Sequence, residues 1–380
     1  MKCNKIFKVA GVISLALIIA VMPFVGACAG EEAPTPAPTP SPTPAPAPTP
    51  TPPVPEEVQT WHWNYGYWEP EQSLATFAYQ LYFTDRVTEL SEGRITWDIY
   101  LSQTLVPASE NYEAVRDGLM VGVCCDAYEG ATLKIPTIKQ MPFRVKGTDH
   151  ESTERELACC QELLAAGLQD YWHDYGVHIV APYTLPPYNM WTTEEWGPVR
   201  TLEDMKGCKV RSPGGYMNDC VDAMGGVGVG MTAPESYEAL KLGTLDAVSM
   251  IESACIASWH HEEVVKYATR IGYAAPGIPI AVNYEVWQTL PKDIQDIIEQ
   301  AGVEAVRNFY AAYANYEKEE ANPILEAAGV EIITLEPAEL EKFKEAVNVV
   351  WDEWLEENGD LYNGLGKKLW EISRKYYEME

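Results

Sequence analysis

Between Thr201 and Glu252 the chain alternates short apolar runs with helical segments, at intervals that suit only a wound α/β unit. Lys209-Val210-Arg211 reads as a strand, and Ser212-Pro213-Gly214-Gly215 as the break that ends it. Tyr216 to Met224 has helical length and stops at Gly225-Gly226. Val227, Val229 and Met231 alternate with Gly228 and Gly230, which predicts a second strand with room for close backbone approach. Thr232-Ala233-Pro234-Glu235 carries the signature of a helix start closed by a capping box. That helix runs to Gly243, and Leu245 to Met250 supplies a third strand. The unit is β-α-β-α-β, with a single buried-looking cation, Arg211, at the end of its first strand.

A second unit of the same kind lies upstream. Trp61 to Tyr67 reads as a strand opening into a loop, and Ser73 to Leu90 as an amphipathic helix. Ile95, Trp97, Ile99 and Leu101 alternate as a strand, Glu110 to Asp117 reads as a short helix, and Val121 to Cys125 as a buried strand. Ligands of such sheets gather at the carboxyl ends of the strands, here Tyr65 to Trp68 and Asp126 to Tyr128. Thr153 to Tyr175 is a longer helix, Val177 to Ala181 a strand, and Pro182 to Trp191 a crossover towards the second unit. Ile280 to Asn283 is a strand. The helix after Pro291 carries an apolar stripe of Ile294, Ile297, Ile298, Ala301, Ala305 and Phe309. Glu331 to Leu335 is a last strand, and Pro337 to Glu357 and Leu361 to Glu378 close the chain as helices.

The run LEDMKGCKVRSPGG, the Met224-Gly225 pair and then PESYEALKLGTLDA resemble the solute-binding proteins of tripartite ATP-independent periplasmic (TRAP) transporters. The turn Ser91 to Ile95, the helix end Ala114 to Gly118 and the Leu290-Pro291 element extend the resemblance over nearly all of the chain beyond the tether. It implies an α/β, two-lobed periplasmic-binding-protein-like fold with hinge crossovers and a long lobe-spanning helix. Expected boundaries are 58–186 plus about 275–316 for one lobe, and 187–274 plus about 317–380 for the other. It also implies a receptor that closes on a small organic acid and hands it to integral membrane permease subunits, with no cofactor. Monomer is the expected state.

The start of the chain is a separate matter. Lys2, Lys5 and Lys8 precede an apolar run, and Val25-Gly26-Ala27-Cys28 reads as a lipoprotein box, so residues 1–27 are expected to be a signal peptide and Cys28 the lipid attachment. The alternative is an ordinary signal peptide or an uncleaved anchor. Glu31 to Pro55 is almost wholly Pro, Thr, Ala and Ser, a tether that would reach up to ~75 Å at ~3.1 Å per residue. Removing residues 1–27 takes the formal net charge from −29 to −32, since three lysines and no acidic residue leave. So acidic a surface argues against nucleic acid and against binding to anionic lipid.

Against that field, an anionic ligand needs a local positive site, and Arg211 has the fork geometry for a carboxylate. In the resemblance this strand-end arginine pairs with the ligand's carboxylate. A second arginine often closes the crossover; here Asn189, Met190 and Trp191 stand instead, which favours a less charged or more apolar acid. Met250 stands where relatives tend to have a polar group. Tyr67, Trp68, Trp191 and Trp259 are candidate walls, Tyr237 is either core or wall, and Asp126 is either a contact to a ligand hydroxyl or ammonium or a turn former with Tyr128 and Gly130.

Other chemistry finds little support. His260-His261-Glu262-Glu263 invites a metal reading, but adjacent histidines on a helix do not share a face, so a solvated helix end is expected. Seven cysteines remain after Cys3 and Cys28. None is in a ligand-spaced CxxC pair, so no metal centre is expected; most read as small buried apolar residues, and their redox form is left open. No nucleophile elbow, HExxH or phosphate loop is present, so catalysis is not expected, a secreted glycoside hydrolase being the enzyme reading. A lipid-anchored sensor for a membrane kinase would share the same ligand domain.

Overall fold

The computed structural model describes residues 58–128, 132–181 and 183–379. The expected signal segment, Cys28, the whole tether, and Gly130 and Pro182 lie outside them. Two sheets organise the rest. The first contains β1 (Trp61–Gly66), β2 (Ile95–Tyr100), β3 (Val121–Val123), β4 (Val177–Ala181) and, from much later in the chain, β10 (Ile280–Asn283). The second contains β5 (Asn189–Thr192), β6 (Lys209–Ser212), β7 (Val227–Gly230), β8 (Ala247–Met250), β9 (Tyr267–Arg270) and β11 (Glu331–Thr334). Their spatial orders are β2-β1-β3-β10-β4 and β11-β9-β5-β8-β6-β7. β1 runs parallel to both neighbours, β6 runs parallel to β7 and β8, and β10 and β5 are antiparallel insertions. This is the two-lobed periplasmic-binding fold expected from the sequence. The chain crosses between the sheets after β4, returns after β9, and leaves again along a helix.

The β6–β7–β8 unit forms as the pattern predicts. Helix Tyr216–Ala223 covers β7, and a Cβ at Gly228 would lie 2.8 Å from the Asn218 Cα, so only glycine lets strand and helix backbones come this close. Thr232 and Glu235 close the capping box: the Thr232 amide donates to Glu235 Oε2 at 3.0 Å and its hydroxyl donates at 2.6 Å. The helix Lys292–Tyr316 has 25 residues, hence ~37 Å at 1.5 Å each, and of its expected stripe Ile294, Ile298, Ala301, Ala305 and Phe309 are fully buried while Ile297 is half-buried. Near its end, Tyr310 donates to the Thr184 carbonyl at 2.7 Å beside the first crossover, and Tyr313 bonds Glu252 just past β8. One rigid element thus ties the two sheets.

Three expectations need correction. Asn189 to Trp191 is not a crossover but the first part of β5, held between β8 and β9; Met190, Trp191 and Thr192 are buried, and the prolines before them masked a strand only four residues long. The helices read as Ser73 to Leu90 and Thr153 to Tyr175 are each interrupted by a π-helical turn, at Thr76–Leu81 and at Leu164–Leu168, where Gly167 has φ 125°. The second of them begins at His150, capped by Asp149, whose carboxylate accepts from the Ser152 amide at 3.0 Å. Among the described residues no helix is long and apolar enough to cross a membrane.

Cys125, Cys159, Cys160, Cys208, Cys220 and Cys255 are buried thiols. Burial pushes Cys125, Cys159 and Cys208 up to about 12, which suppresses the thiolate needed for reaction. A thiol reagent at pH 8 should therefore leave all six unmodified in the native protein and label them after denaturation without any reductant. Mass spectrometry of the alkylated chain reads this directly; a disulfide-linked peptide among the six would contradict it.

Candidate functional site

β6 is flanked on both sides by parallel partners, so the group at its carboxyl end sits among three strand ends. That group is Arg211. It is wholly buried; Nε donates to the Met231 carbonyl at 3.0 Å and Nη1 to the Ser249 carbonyl at 3.3 Å. Nη2 is buried with no hydrogen-bond partner, and no carboxylate of the described residues lies within 4.0 Å of the guanidinium. A buried cation that lacks an anion is costly, by several kcal/mol when a buried pair is broken. The loop after it is shaped by Ser212, whose hydroxyl accepts from the Gly214 amide at 3.2 Å and donates to Asn218 at 2.5 Å. Gly215 has φ 58°, and a Cβ there would lie 2.7 Å from Gln140 Oε1.

The first sheet brings its own strand ends to this point. Tyr67 and Trp68 follow β1 and are buried, and Trp68 meets Tyr128 edge-on at 6.0 Å. The Tyr128 hydroxyl accepts from the Ala233 amide at 3.1 Å, and the Ser258 hydroxyl donates to Glu69 at 3.1 Å. Both bonds join a first-sheet loop to a second-sheet loop, so this structure is a closed form. Burial raises the pKa values of Tyr128, Tyr188 and Tyr273, and Arg211 pulls each back, which puts all three hydroxyls within its field.

Two residues in this region escaped the sequence reading. Glu69 is buried, accepts hydrogen bonds from Ser73 and Ser258, and has its carboxyl pushed up by burial. Gln140 is buried, faces Gly215, and leaves both amide atoms without a partner. Glu69 carried a weak signal, a lone carboxylate directly after the aromatic strand end; Gln140, at the end of a short 3-10 turn, carried none.

The remaining candidates sort by geometry. Across β6, β8 and β5 the register aligns Arg211, Val248 and Trp191 on one face, two strand spacings or ~10 Å from end to end. Trp191 is fully buried and its indole donates to the Met250 carbonyl at 3.0 Å. Asn189 is engaged elsewhere: it donates to Glu252 at 2.8 Å and accepts from the Gly272 amide at 3.0 Å, in a network with Arg270 and Tyr313. Asp126 is wholly buried, with Lys139 at 2.5 Å on one oxygen and the Tyr112 hydroxyl on the other. Its charge is therefore already balanced by Lys139. Tyr237 is neither core nor wall: its hydroxyl donates to Glu263 at 2.7 Å on an exposed turn. The Trp259 indole nitrogen, next to Ser258, is buried without a partner. Among the described residues no three His, Cys, Asp or Glu side chains are grouped to hold a metal.

The expected solvated end at His260 to Glu263 is half right. His260 is exposed at φ 53°, but the turn drives His261 inward, with Nε2 2.9 Å from the Ser236 hydroxyl and Nδ1 3.3 Å from the Cys255 carbonyl. Adjacent side chains of a tight turn point opposite ways, which hydropathy alone does not reveal.

The family model described as bacterial extracellular solute-binding protein, family 7 matches residues 66–358. The chain belongs to that family. A solute-binding protein of Albidiferax ferrireducens is 23% identical over 72% of this chain and 79% of its own. The C4-dicarboxylate-binding periplasmic protein DctP of Rhodobacter capsulatus is 24% identical over 73% of this chain and 81% of its own. Among solved structures, a TRAP solute-binding protein from Rhodoferax ferrireducens, in complex with copurified benzoate, superposes with a TM-score of 0.73 at 22% identity, covering 84% of this chain and 98% of that one. The family's members are receptors, not enzymes, and act outside the cytoplasm.

Burial and the nearby Arg211 depress His261 from 6.5 to about 3 in this solute-binding protein. Between those values the unfolded chain binds a proton that the native chain refuses, so stability falls as pH falls below 6.5, by at most about 1.4 kcal/mol per unit. Chemical denaturation of wild type and His261→Gln between pH 7 and pH 4.5 should show a shallower decline in the variant. Parallel profiles would remove His261 from the acid response.

Proposed function

We propose that this solute-binding protein captures a small organic carboxylate by closing its two lobes around it, with Arg211 as the carboxylate's partner. The observation that carries the reading is the free Nη2 of a wholly buried guanidinium with no acidic neighbour among the described residues. Two of its donors are spent on backbone carbonyls, which fixes the plane of the fork and aims the third nitrogen. Closure removes water, so a carboxylate there would gain far more than in bulk solvent. Gln140, free at both amide atoms, is a second candidate contact.

The walls favour an apolar body on that acid. Tyr67, Trp68, Trp191 and Met250 are buried on the sheet ends or on the Arg211 face, and Asn189 stands where a second arginine would have paired a second carboxylate. An aromatic or branched monocarboxylate fits best, with Asp126 holding the first-sheet loop through Lys139 and Tyr112 and leaving ligand contact to its neighbours. The relatives, among them a C4-dicarboxylate-binding protein and a protein in complex with benzoate, support an organic acid. Delivery is to a TRAP permease in the membrane. Lipid on Cys28 would tether the receptor at the membrane face, and the Pro/Thr spacer would give it reach.

Thermal unfolding of the full chain with benzoate, branched monocarboxylates, dicarboxylates and neutral sugars tests this. A monocarboxylate at a hundred times its Kd should add about 2.7 kcal/mol to stability. Arg211→Ala should abolish that shift and leave the unliganded melting temperature equal or higher, because an uncompensated cation is gone. A carboxylate shift that survives in the variant, or shifts with sugars alone, would overturn the assignment.

A further inference from the structure

Arg211 is not the only uncompensated charge at the closed junction. Glu69 follows Trp68 at the end of β1, is only 7% exposed, and has no cationic nitrogen of the described residues within 4.0 Å. Its hydrogen-bond partners are neutral hydroxyls: Ser73 from its own loop and Ser258 from the second lobe, with Tyr67 beside it. These donors satisfy lone pairs without balancing the charge. Elsewhere in this first-sheet wall the protein does balance its buried carboxylates, Asp126 with Lys139 and Glu156 with Arg144 at 2.7 Å. Glu69 is the exception among these three.

The two orphan charges act on the same pair of tyrosines, Tyr128 and Tyr188. Tyr128 connects them: its ring packs on Trp68, next to Glu69, while its hydroxyl meets the Ala233 amide, two residues beyond the Met231 carbonyl that holds Arg211. Tyr188 likewise feels both charges. Yet they do not pair with each other, although closure brings their two lobes into direct hydrogen-bond contact. A carboxylate with no other charge would neutralise Arg211 and leave Glu69 bare. A dicarboxylate would set a second anion against Glu69 in a water-poor space, where like charges repel strongly. A molecule with a carboxylate at one end and an ammonium at the other neutralises both.

We propose that the ligand is a zwitterionic amino acid, its carboxylate on Arg211 and its ammonium on Glu69, with an aromatic or branched side chain against Trp68 and the neighbouring tyrosines. This rests on the carboxylate reading of Arg211 and adds Glu69 as the residue that selects the amino group. The contact role that the sequence suggested for Asp126 passes to Glu69, because Lys139 already occupies Asp126.

Isothermal titration of the full chain with matched sets tests it: phenylalanine, 3-phenyllactate and 3-phenylpropanoate; leucine, 2-hydroxy-4-methylpentanoate and 4-methylpentanoate; and, for a longer span, 5-aminopentanoate and pentanoate. In at least one set the amino compound should bind tenfold or more tightly than both the hydroxy and the parent acid, or than the parent acid where no hydroxy acid is included. Glu69→Gln, which keeps the shape and the serine bonds, should erase that preference while the parent acid binds as before. Arg211→Ala should lose every member. Tighter binding of a hydroxy or parent acid through Arg211 would overturn the zwitterion and leave the carboxylate receptor standing. An amino-acid preference unchanged in a folded Glu69→Gln would remove Glu69 from the role. Should that variant not fold, the wild-type ranking alone decides the ligand class. Binding of no member in any set would overturn both readings together.

Discussion

A guanidinium buried without its anion is the constraint around which this protein is arranged. Arg211 could have been answered by a protein carboxylate, as Arg144 is by Glu156; instead two backbone carbonyls hold it and one nitrogen is left over. Carbonyl dipoles orient a cation but do not neutralise it, so the closed form without ligand carries an unfavourable term that a bound anion removes. In the proposed mode that asymmetry couples ligand to closure, since any state in which water reaches Arg211 loses less by lacking the anion.

The rest of the fold serves to bring the parts of that site together without touching it. β6 sits between β7 and β8, so Met231 and Ser249 approach the guanidinium from opposite sides. The long helix is anchored at Thr184 and at Glu252, and the second anchor lies in a network with Asn189 and Arg270 that sits between the sheets and apart from Arg211. Buried ion pairs contribute little net stability when compared with apolar packing, but they define one geometry against others. Asp126 with Lys139 does this for the first-lobe loop, and Gly277, whose Cβ would lie 2.2 Å from Asp126 Oδ2, leaves it the space.

The charge balance of the whole chain sharpens the point. With a formal net charge of −29, long-range attraction cannot recruit an anion. Selectivity has to be local, short-ranged and dry, and the aromatic strand ends supply the dryness. Tyr128 and Ser258 also join the two lobes, so in the proposed mode the surfaces that exclude water are the same ones that read the ligand.

Much of this was legible in the sequence, for a reason that can be named. The β6–β7–β8 unit, its capping box and Arg211 at a strand end are local features, set by side-chain periodicity, glycine placement and a four-residue cap, so the linear order of residues was enough to determine them. The stripe of the long helix was visible on the same grounds. What the tertiary structure alone decided depends on residues far apart in the chain. β5 was hidden behind prolines and is a strand only because β8 and β9 flank it; the π-helical turns answer to packing and not to periodicity. Asp126 and Glu69 look alike in sequence, each a carboxylate just past a strand. Lys139 meets one and no cation of the described residues meets the other, and it is that distant partner, not the local pattern, that leaves Glu69 and Arg211 as the two charges still to be balanced.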